Sequence, residues 1–474
     1  MFSREGFLND AFLRRFPYEP TPCQYGLLQQ MAAFLTSDVG DILVVNGYAG
    51  TGKTAALAAV VGALKELEVP CVLLAPTGRS AKVLSSYAGA PAWTIHKHIY
   101  RQKSFGNDGF GVFSLMPNKA RGTLFIVDEV SLIGIDSQGQ GTAFGSGNLL
   151  EDLVAFVRAG VDCKLVLVGD DAQLPPVGLD ASPALSPAFM DGFGGVSYAT
   201  LTTVVRQGAS SGILQNATHL RELLAGGLDA EPVSVLGLST ARPDVTRITG
   251  GELIETLSDA YNRYGEEEVV VLCRSNKRAV RYNAGIRAQV QYREEQLVRG
   301  DKLMIVKNCY LSGLEGSDYV ANGDVARLVR IRHFEERYGL HFADAVLSFP
   351  DYGNQEVETK VLLDTLTSES ASLSYEQSNA LYQGVSADYA HLSTKKKRYS
   401  AVREDPFYNA MQIKYAEAVT CHKAQGGQWR CVFIDNPLWQ DFVTADDVKW
   451  LYTALTRAVE QVYLVNFRDE VFGG

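Results

Sequence analysis

The chain has 474 residues, 46% hydrophobic and 21% charged, a composition that excludes disordered, collagen-like and fibrous proteins and suggests two or three domains. Its formal net charge of −10 counts against a basic nucleic-acid binder, although a binding channel needs only local positive charge. No stretch approaches the roughly 18 apolar residues of a spanning helix, and the charged opening MFSREGFLND is not a signal peptide, so a cytoplasmic protein without membrane contact is expected. Seven cysteines lie singly with no CxxC pair, which favours free buried thiols over disulfides or zinc.

In chain order, Ile42–Asn46 reads as a strand and Thr54–Leu67 as an Ala-rich helix. Between them, Gly47-Tyr48-Ala49-Gly50-Thr51-Gly52-Lys53-Thr54 matches GxxxxGK[ST] in the strand-to-helix setting that gives the pattern meaning. The loop, with Gly47, Gly50, Thr51 and Gly52, lets backbone N–H groups turn inward around phosphate oxygens. Lys53 would reach the β- and γ-phosphates and Thr54 would ligate Mg²⁺. A Gly-rich turn with a chance lysine is the bland alternative, and the setting counts against it. Cys71–Ala75 is a second strand, and Pro76-Thr77-Gly78-Arg79-Ser80-Ala81 then opens a helix whose N-terminus could meet an anion. Between Trp93 and Lys119 the chain makes an excursion. Its Asn107-Asp108-Gly109 supplies hairpin turn chemistry, so Phe105 and Phe110 would flank an exposed tip on which a base could stack. A hairpin folded back with both rings buried is the alternative.

Leu124–Val127 ends in Asp128-Glu129, the pair a nucleotide hydrolase requires, Asp128 to hold Mg²⁺ and Glu129 to polarise the attacking water. The Gly-rich Gln138–Asn148 stretch reads as a mobile loop. Lys164–Val168 runs into Gly169-Asp170-Asp171-Ala172-Gln173-Leu174-Pro175-Pro176, where neutral Gln173 could feel the presence of a γ-phosphate, although Pro-Pro also simply ends a strand. With Val269–Cys273, this alternation predicts βαβ units and a parallel sheet covered on both faces. From Gly300 to Ala418, Val-rich segments and then a polar stretch with the Lys395–Arg398 run read as a β-rich insertion carrying helices. The earlier pattern resumes with strands Cys431–Asp435 and Gln461–Asn466 around a helix capped near Asp446 or Asp447, implying a second α/β domain that hosts the insertion.

In order, GYAGTGKT, FIVDEVS, GDDAQLPP, Leu201-Thr-Thr-Val-Val-Arg206-Gln, Thr420-Cys-His422-Lys423-Ala-Gln425-Gly426 and Tyr452-Thr-Ala-Leu-Thr-Arg457-Ala resemble the motifs of superfamily 1 helicases. The resemblance runs from Gln24 to Arg457 and is strongest to the 5′→3′ branch containing RecD, Pif1 and the phage helicase Dda, the DEVS form and chain length pointing to the Dda type. It implies an α/β fold with two RecA-like P-loop domains, 1A over 1–88 and 119–210 and 2A over 211–300 and 416–474. It adds a small β-hairpin insertion, 1B, over 89–118, and an SH3-like insertion with a helical elaboration, 2B, over 301–415.

The resemblance also implies that Gln24 reads adenine and that Arg206 and Arg457 reach the γ-phosphate from opposite sides of the interdomain cleft. Pro76, Thr77, Arg79, Thr94 and His96 would contact a DNA backbone from the first domain, and Thr420, His422 and Gln425 from the second. Either arginine could instead sit in a surface ion pair, and both histidines could be structural. The family's strand-separating pin falls in the 93–119 excursion, which would give Phe105 and Phe110 that role. The reading is then an ATP-dependent 5′→3′ DNA helicase that uses ATP and Mg²⁺ on single-stranded DNA and duplex junctions. A monomer is expected, with single-strand binding protein or replisome components as candidate partners. The rivals are a DNA-stimulated ATPase that displaces proteins without unwinding and a non-motor P-loop switch.

Overall fold

A computed structural model describes residues 4–105, 111–135, 143–204, 211–314, 317–320 and 322–473. Six strands form a first sheet in the order Ala92–Thr94, Cys71–Ala75, Leu124–Val127, Lys164–Gly169, Ile42–Gly47, Val196–Leu201, with every neighbouring pair parallel. The four strands anticipated in this half lie within one residue of their observed limits, as does the helix Lys53–Glu66. The reason is visible in the alternation of side chains. Leu43 and Val45 enter one buried cluster with Leu57 and Val60, while Ile42 and Val44 enter the opposite one with Leu150 and Leu153, so each strand is apolar on both faces.

A second all-parallel sheet follows, ordered Val245–Ile248, Ala458–Val465, Trp429–Asp435, Val269–Cys273, Ala418–Thr420. The helix Ala445–Leu455 packs on it, but its N-cap is Thr444 and not Asp446 or Asp447. Asp447 is instead the reciprocal partner of a capping box, accepting from the Thr444 backbone N–H at 2.9 Å. Ala172 and Leu174, from the first half, share a buried cluster with Leu451 and Leu455 of the second, so the two halves meet through apolar contact.

Between the strands of the second sheet the chain builds a closed five-stranded barrel from Lys302–Ile305, Val325–Arg337, Leu340–Phe349, Gln355–Leu362 and Met411–Tyr415. Helices Tyr375–Asp388 and Lys395–Glu404 connect its last two strands. They cover its outside through Leu381, Val385 and Val402, which with Phe407 pack against Phe342 and Leu362. The barrel also touches the first half. Lys82, on the helix Gly78–Ala88, sits 2.8 Å from buried Asp324 and 3.4 Å from the centre of the Tyr352 ring. The Tyr352 hydroxyl donates to the other Asp324 oxygen at 2.9 Å.

The 93–119 excursion contains antiparallel strands Tyr100–Phe105 and Gly111–Leu115. Tyr100 anchors their base by donating to Asp152 at 2.7 Å. Residues 106–110, including Phe110, lie outside the described residues, and so does the side chain of Phe105. The Gly-rich stretch is not wholly a free loop. Ala143–Phe144 pairs with Val112–Phe113, and the Gly145 and Ser146 N–H groups donate to Phe113 O and Asp152. All seven cysteines are free.

Candidate nucleotide and nucleic-acid site

The loop after Ile42–Gly47 turns as its glycines require. Gly50 and Gly52 adopt φ of +78° and +80°, and a Cβ on Gly47 would lie 2.9 Å from the Lys53 side chain. The Lys53 ammonium donates to the carbonyls of Gly47 and, at 3.1 Å, Tyr48. The Thr51 hydroxyl donates to Tyr48 O at 2.8 Å, and half-buried Thr54 stands at the second position of the helix. Gln24 is buried with its amide engaged at both ends. Its oxygen accepts from the Thr21 N–H and its nitrogen donates to Thr51 O at 2.8 Å, which ties the loop to the helix Pro22–Thr36.

At the end of Leu124–Val127, buried Asp128 accepts from the Glu129 N–H at 2.9 Å. Burial and the neighbouring Glu129 carboxylate push its carboxyl up to about 7, against the pull of Lys53. Glu129 holds a left-handed φ of +56°, an uncommon conformation for a side chain other than glycine or asparagine. Two close carboxylates beside the lysine, unpaired with any cation among the described residues, form an oxygen donor set suited to a hard dication. The residues therefore fit Mg²⁺, with Asp128 and Thr54 as its holders, and Lys53 fits a phosphate group that would replace its carbonyl partners.

The second half reaches this loop through the helix Ala445–Leu455. The Tyr452 hydroxyl accepts from the Ala49 N–H at 3.0 Å and donates to Asp170 at 2.8 Å. The Thr453 hydroxyl accepts from the Leu174 N–H at 2.9 Å. Arg457, only 4% exposed, donates to Thr453 O at 3.1 Å and to Gly427 O and Thr456 Oγ1 at 3.3 Å. It has no carboxylate partner among the described residues, so the surface-ion-pair alternative fails for it. Buried Gln173 donates weakly to Asp170 at 3.4 Å, and its Oε1 has no partner among the described residues. Arg206 lies outside them.

The residues expected along the DNA divide into two sets. Thr77 and Thr94 cap the helices Gly78–Ala88 and Ile95–Ile99, accepting from the Ser80 and Lys97 N–H groups. Pro76 and His96 are half-buried nearby. Burial lowers the pKa of His96 and His422, favouring their neutral forms. Thr420 opens a short helical turn without capping it. Gln425 is a correction. It does not face outward but lies 3% exposed between the two halves, its amide donating to Leu174 O at 3.1 Å. Arg79 is likewise turned into the cleft, its guanidinium 4.6 Å from the centre of the Trp429 ring. A Cβ on Gly427 would lie 2.7 Å from its nitrogen.

Sequence reading missed Tyr452, Thr453 and Asp170, although all lie in quoted motifs. For Tyr452 and Thr453, polar groups within the buried last turns of the helix, one turn before Arg457, were the available signal. It also missed a cation pair where the barrel meets the second sheet. Lys414 and Lys423 line one small cavity with Thr420 and Asn276. Burial lowers both amines to about 8, with Lys414 adding to the effect on Lys423. The Lys414 ammonium donates to Ser368 O, whereas that of Lys423 has no hydrogen-bond partner among the described residues.

A family model described as an AAA domain matches residues 27–230, and one described as a UvrD-like helicase C-terminal domain matches 415–465. An ATP-dependent RecD2 DNA helicase from Deinococcus radiodurans is 28% identical over 94% of this chain, which spans 50% of that protein's length. The ATP-dependent DNA helicase dda of Enterobacteria phage T4 is 24% identical, over 89% of this chain and 94% of the relative. A solved structure of two coordinating Pif1 helicases at forked double-stranded DNA superposes with a TM-score of 0.52 at 15% identity. The match covers 96% of this chain and 94% of that one, a likeness of fold.

Proposed function

We propose that this chain, which is similar to the Dda, RecD and Pif1 branch of the superfamily 1 helicases, is an ATP-driven motor that moves 5′→3′ on single-stranded DNA and unwinds duplex. The observation that carries this reading is the hydrogen bond from the P-loop Ala49 N–H to Tyr452, which brings the helix leading to Arg457 onto the phosphate loop. ATP with Mg²⁺ supplies the transferable phosphoryl group and its charge neutralisation. Lys53 leaves its carbonyl partners to bind the β- and γ-phosphates, and the loop amides enclose them. Thr54 and Asp128 would hold the metal, Glu129 would polarise the attacking water, and Gln173 would feel whether a γ-phosphate is present. Arg457, with Arg206 from the other side, stabilises charge that develops in the transition state. Since Arg457 belongs to the second half, hydrolysis is coupled to closure of the cleft. Gln24 sets the loop and meets the adenine.

On this reading residues 1–88 and 119–210 form domain 1A, 211–300 and 416–474 domain 2A, 89–118 the 1B pin, and 301–415 an SH3-like 2B insertion. The DNA backbone would run past Pro76, Thr77, Thr94 and His96 on one half and Thr420 and His422 on the other. The substrate is single-stranded DNA leading to a duplex junction, handled by a cytoplasmic monomer. The test is strand displacement from duplexes bearing a 5′ or a 3′ tail, with ATP and Mg²⁺. Unwinding of the 5′-tailed substrate is expected. Unwinding of the 3′-tailed substrate alone would reverse the polarity, and DNA-stimulated hydrolysis without strand separation would favour the translocase alternative.

A further inference from the structure

We infer that Tyr452 is a positioning residue for hydrolysis, its hydroxyl joining the phosphate loop to the helix that delivers Arg457. The inference rests on the ATPase reading above. Tyr452 is 1% exposed, yet its hydroxyl is fully used, and both partners lie across the cleft. It accepts from the Ala49 N–H at 3.0 Å, inside the P-loop, and donates to Asp170 at 2.8 Å, at the end of the neighbouring strand Lys164–Gly169. The Asp170 carboxylate is itself oriented, accepting from the Ala172 N–H at 3.2 Å and from Gln173 at 3.4 Å. One hydroxyl thus connects the loop that holds the phosphates, the segment carrying Gln173, and the second half.

The next residue repeats the connection. Thr453 accepts from the Leu174 N–H through its hydroxyl, and its carbonyl accepts from the Arg457 guanidinium at 3.1 Å. Displacement of the helix at Tyr452 therefore moves the group that orients Arg457. A misplacement of about 1 Å at a group acting only in the transition state can cost about a hundredfold in rate while leaving ground-state binding intact. A phenyl ring would fill the same buried space without making either bond, so the hydroxyl can be tested apart from the packing.

The experiment compares wild type, Tyr452→Phe, Arg457→Ala and the double variant in steady-state ATP hydrolysis at saturating single-stranded DNA, with KM for ATP and fluorescent-nucleotide binding measured alongside. Tyr452→Phe is expected to lower kcat by about tenfold to a hundredfold with KM and nucleotide affinity within about threefold of wild type. In the Arg457→Ala background the same substitution should change kcat by less than about threefold, because its effect is exerted through that arginine. A kcat within twofold of wild type would overturn the inference, as would losses that multiply fully in the double variant. Parallel loss of kcat, nucleotide affinity and thermal stability would show a merely structural role and overturn it too. Absence of DNA-stimulated turnover in the wild type would instead remove the ATPase reading, a result distinguishable from all of these.

Discussion

The nucleotide side of the cleft and the junction of barrel and second sheet treat buried polar groups in opposite ways. Around the P-loop the key side chains are held by protein partners: Lys53 on loop carbonyls, Gln24 on Thr21 and Thr51, Tyr452 on Ala49 and Asp170. At the junction, Lys414 and Lys423 share a cavity without a carboxylate, and the amine of Lys423 has no hydrogen-bond partner among the described residues. A ligand entering the first site must exchange bonds, which makes binding there a conformational event. A ligand entering the second meets cations whose charge is uncompensated, and a phosphate relieves a cost already present. On the proposed function, such a site would let a chain of net charge −10 still meet the phosphates of a strand.

The largest effect expected from breaking this contrast is at Lys53. Lys53→Ala should reduce DNA-stimulated ATP hydrolysis to background while the melting temperature stays near wild type, because the side chain serves a ligand and not the core. Robust turnover by this variant would remove the site assignment. Arg457→Ala should lower kcat by about 10³-fold with nucleotide binding retained, and equal losses in both would argue against a transition-state role.

The cation pair sharpens the other side of the comparison. Amines with a pKa near 8 in the free protein are charged at pH 7 and mostly neutral at pH 9. Affinity for single-stranded DNA should therefore fall as pH rises through 8, by about tenfold per lysine that meets a phosphate. Fluorescence anisotropy with labelled oligonucleotide should show this dependence in wild type and its loss in Lys414→Gln/Lys423→Gln. A pH-independent wild type would show that the strand passes elsewhere. Replacing Phe105 and Phe110 by Ala should lower unwinding by about tenfold and leave ATPase on single-stranded DNA unchanged, since stepping along one strand requires no wedge. Matched losses would give the rings a structural role. The smallest effect is at Thr77, whose hydroxyl caps a helix. Thr77→Ala should cost about 1 kcal/mol in denaturant unfolding, and Thr77→Ser should restore it.

The P-loop, the carboxylate pair and the central strands were legible because their constraints are local. A left-handed turn demands glycine at 50 and 52, and a strand buried on both faces demands an uninterrupted apolar run. The positions of Gln425 and Arg79 could not be read, because their surroundings come from the opposite half: Leu174 O for one, Trp429 and Gly427 for the other. Nothing near them in sequence announces that contact. Thr444 was passed over for Asp447 because both belong to one capping box and either residue type can cap a helix. Lys414 and Lys423 meet in a cavity between the barrel strand Met411–Tyr415 and the helical turn Cys421–Ala424, a meeting that no local pattern announces.

The contact of Lys82 with Asp324 and Tyr352 has a mechanical consequence. The barrel is continuous in sequence with the second sheet, yet through this cluster it also grips the helix Gly78–Ala88 of the first. It is therefore a strut pinned at both ends. Opening a hinge between the two halves past this contact would part Asp324, 1% exposed, from the lysine whose charge offsets the burial of its own. On that argument, relative motion of the halves is expected to have a stiff range while both pins hold and a released range once one lets go.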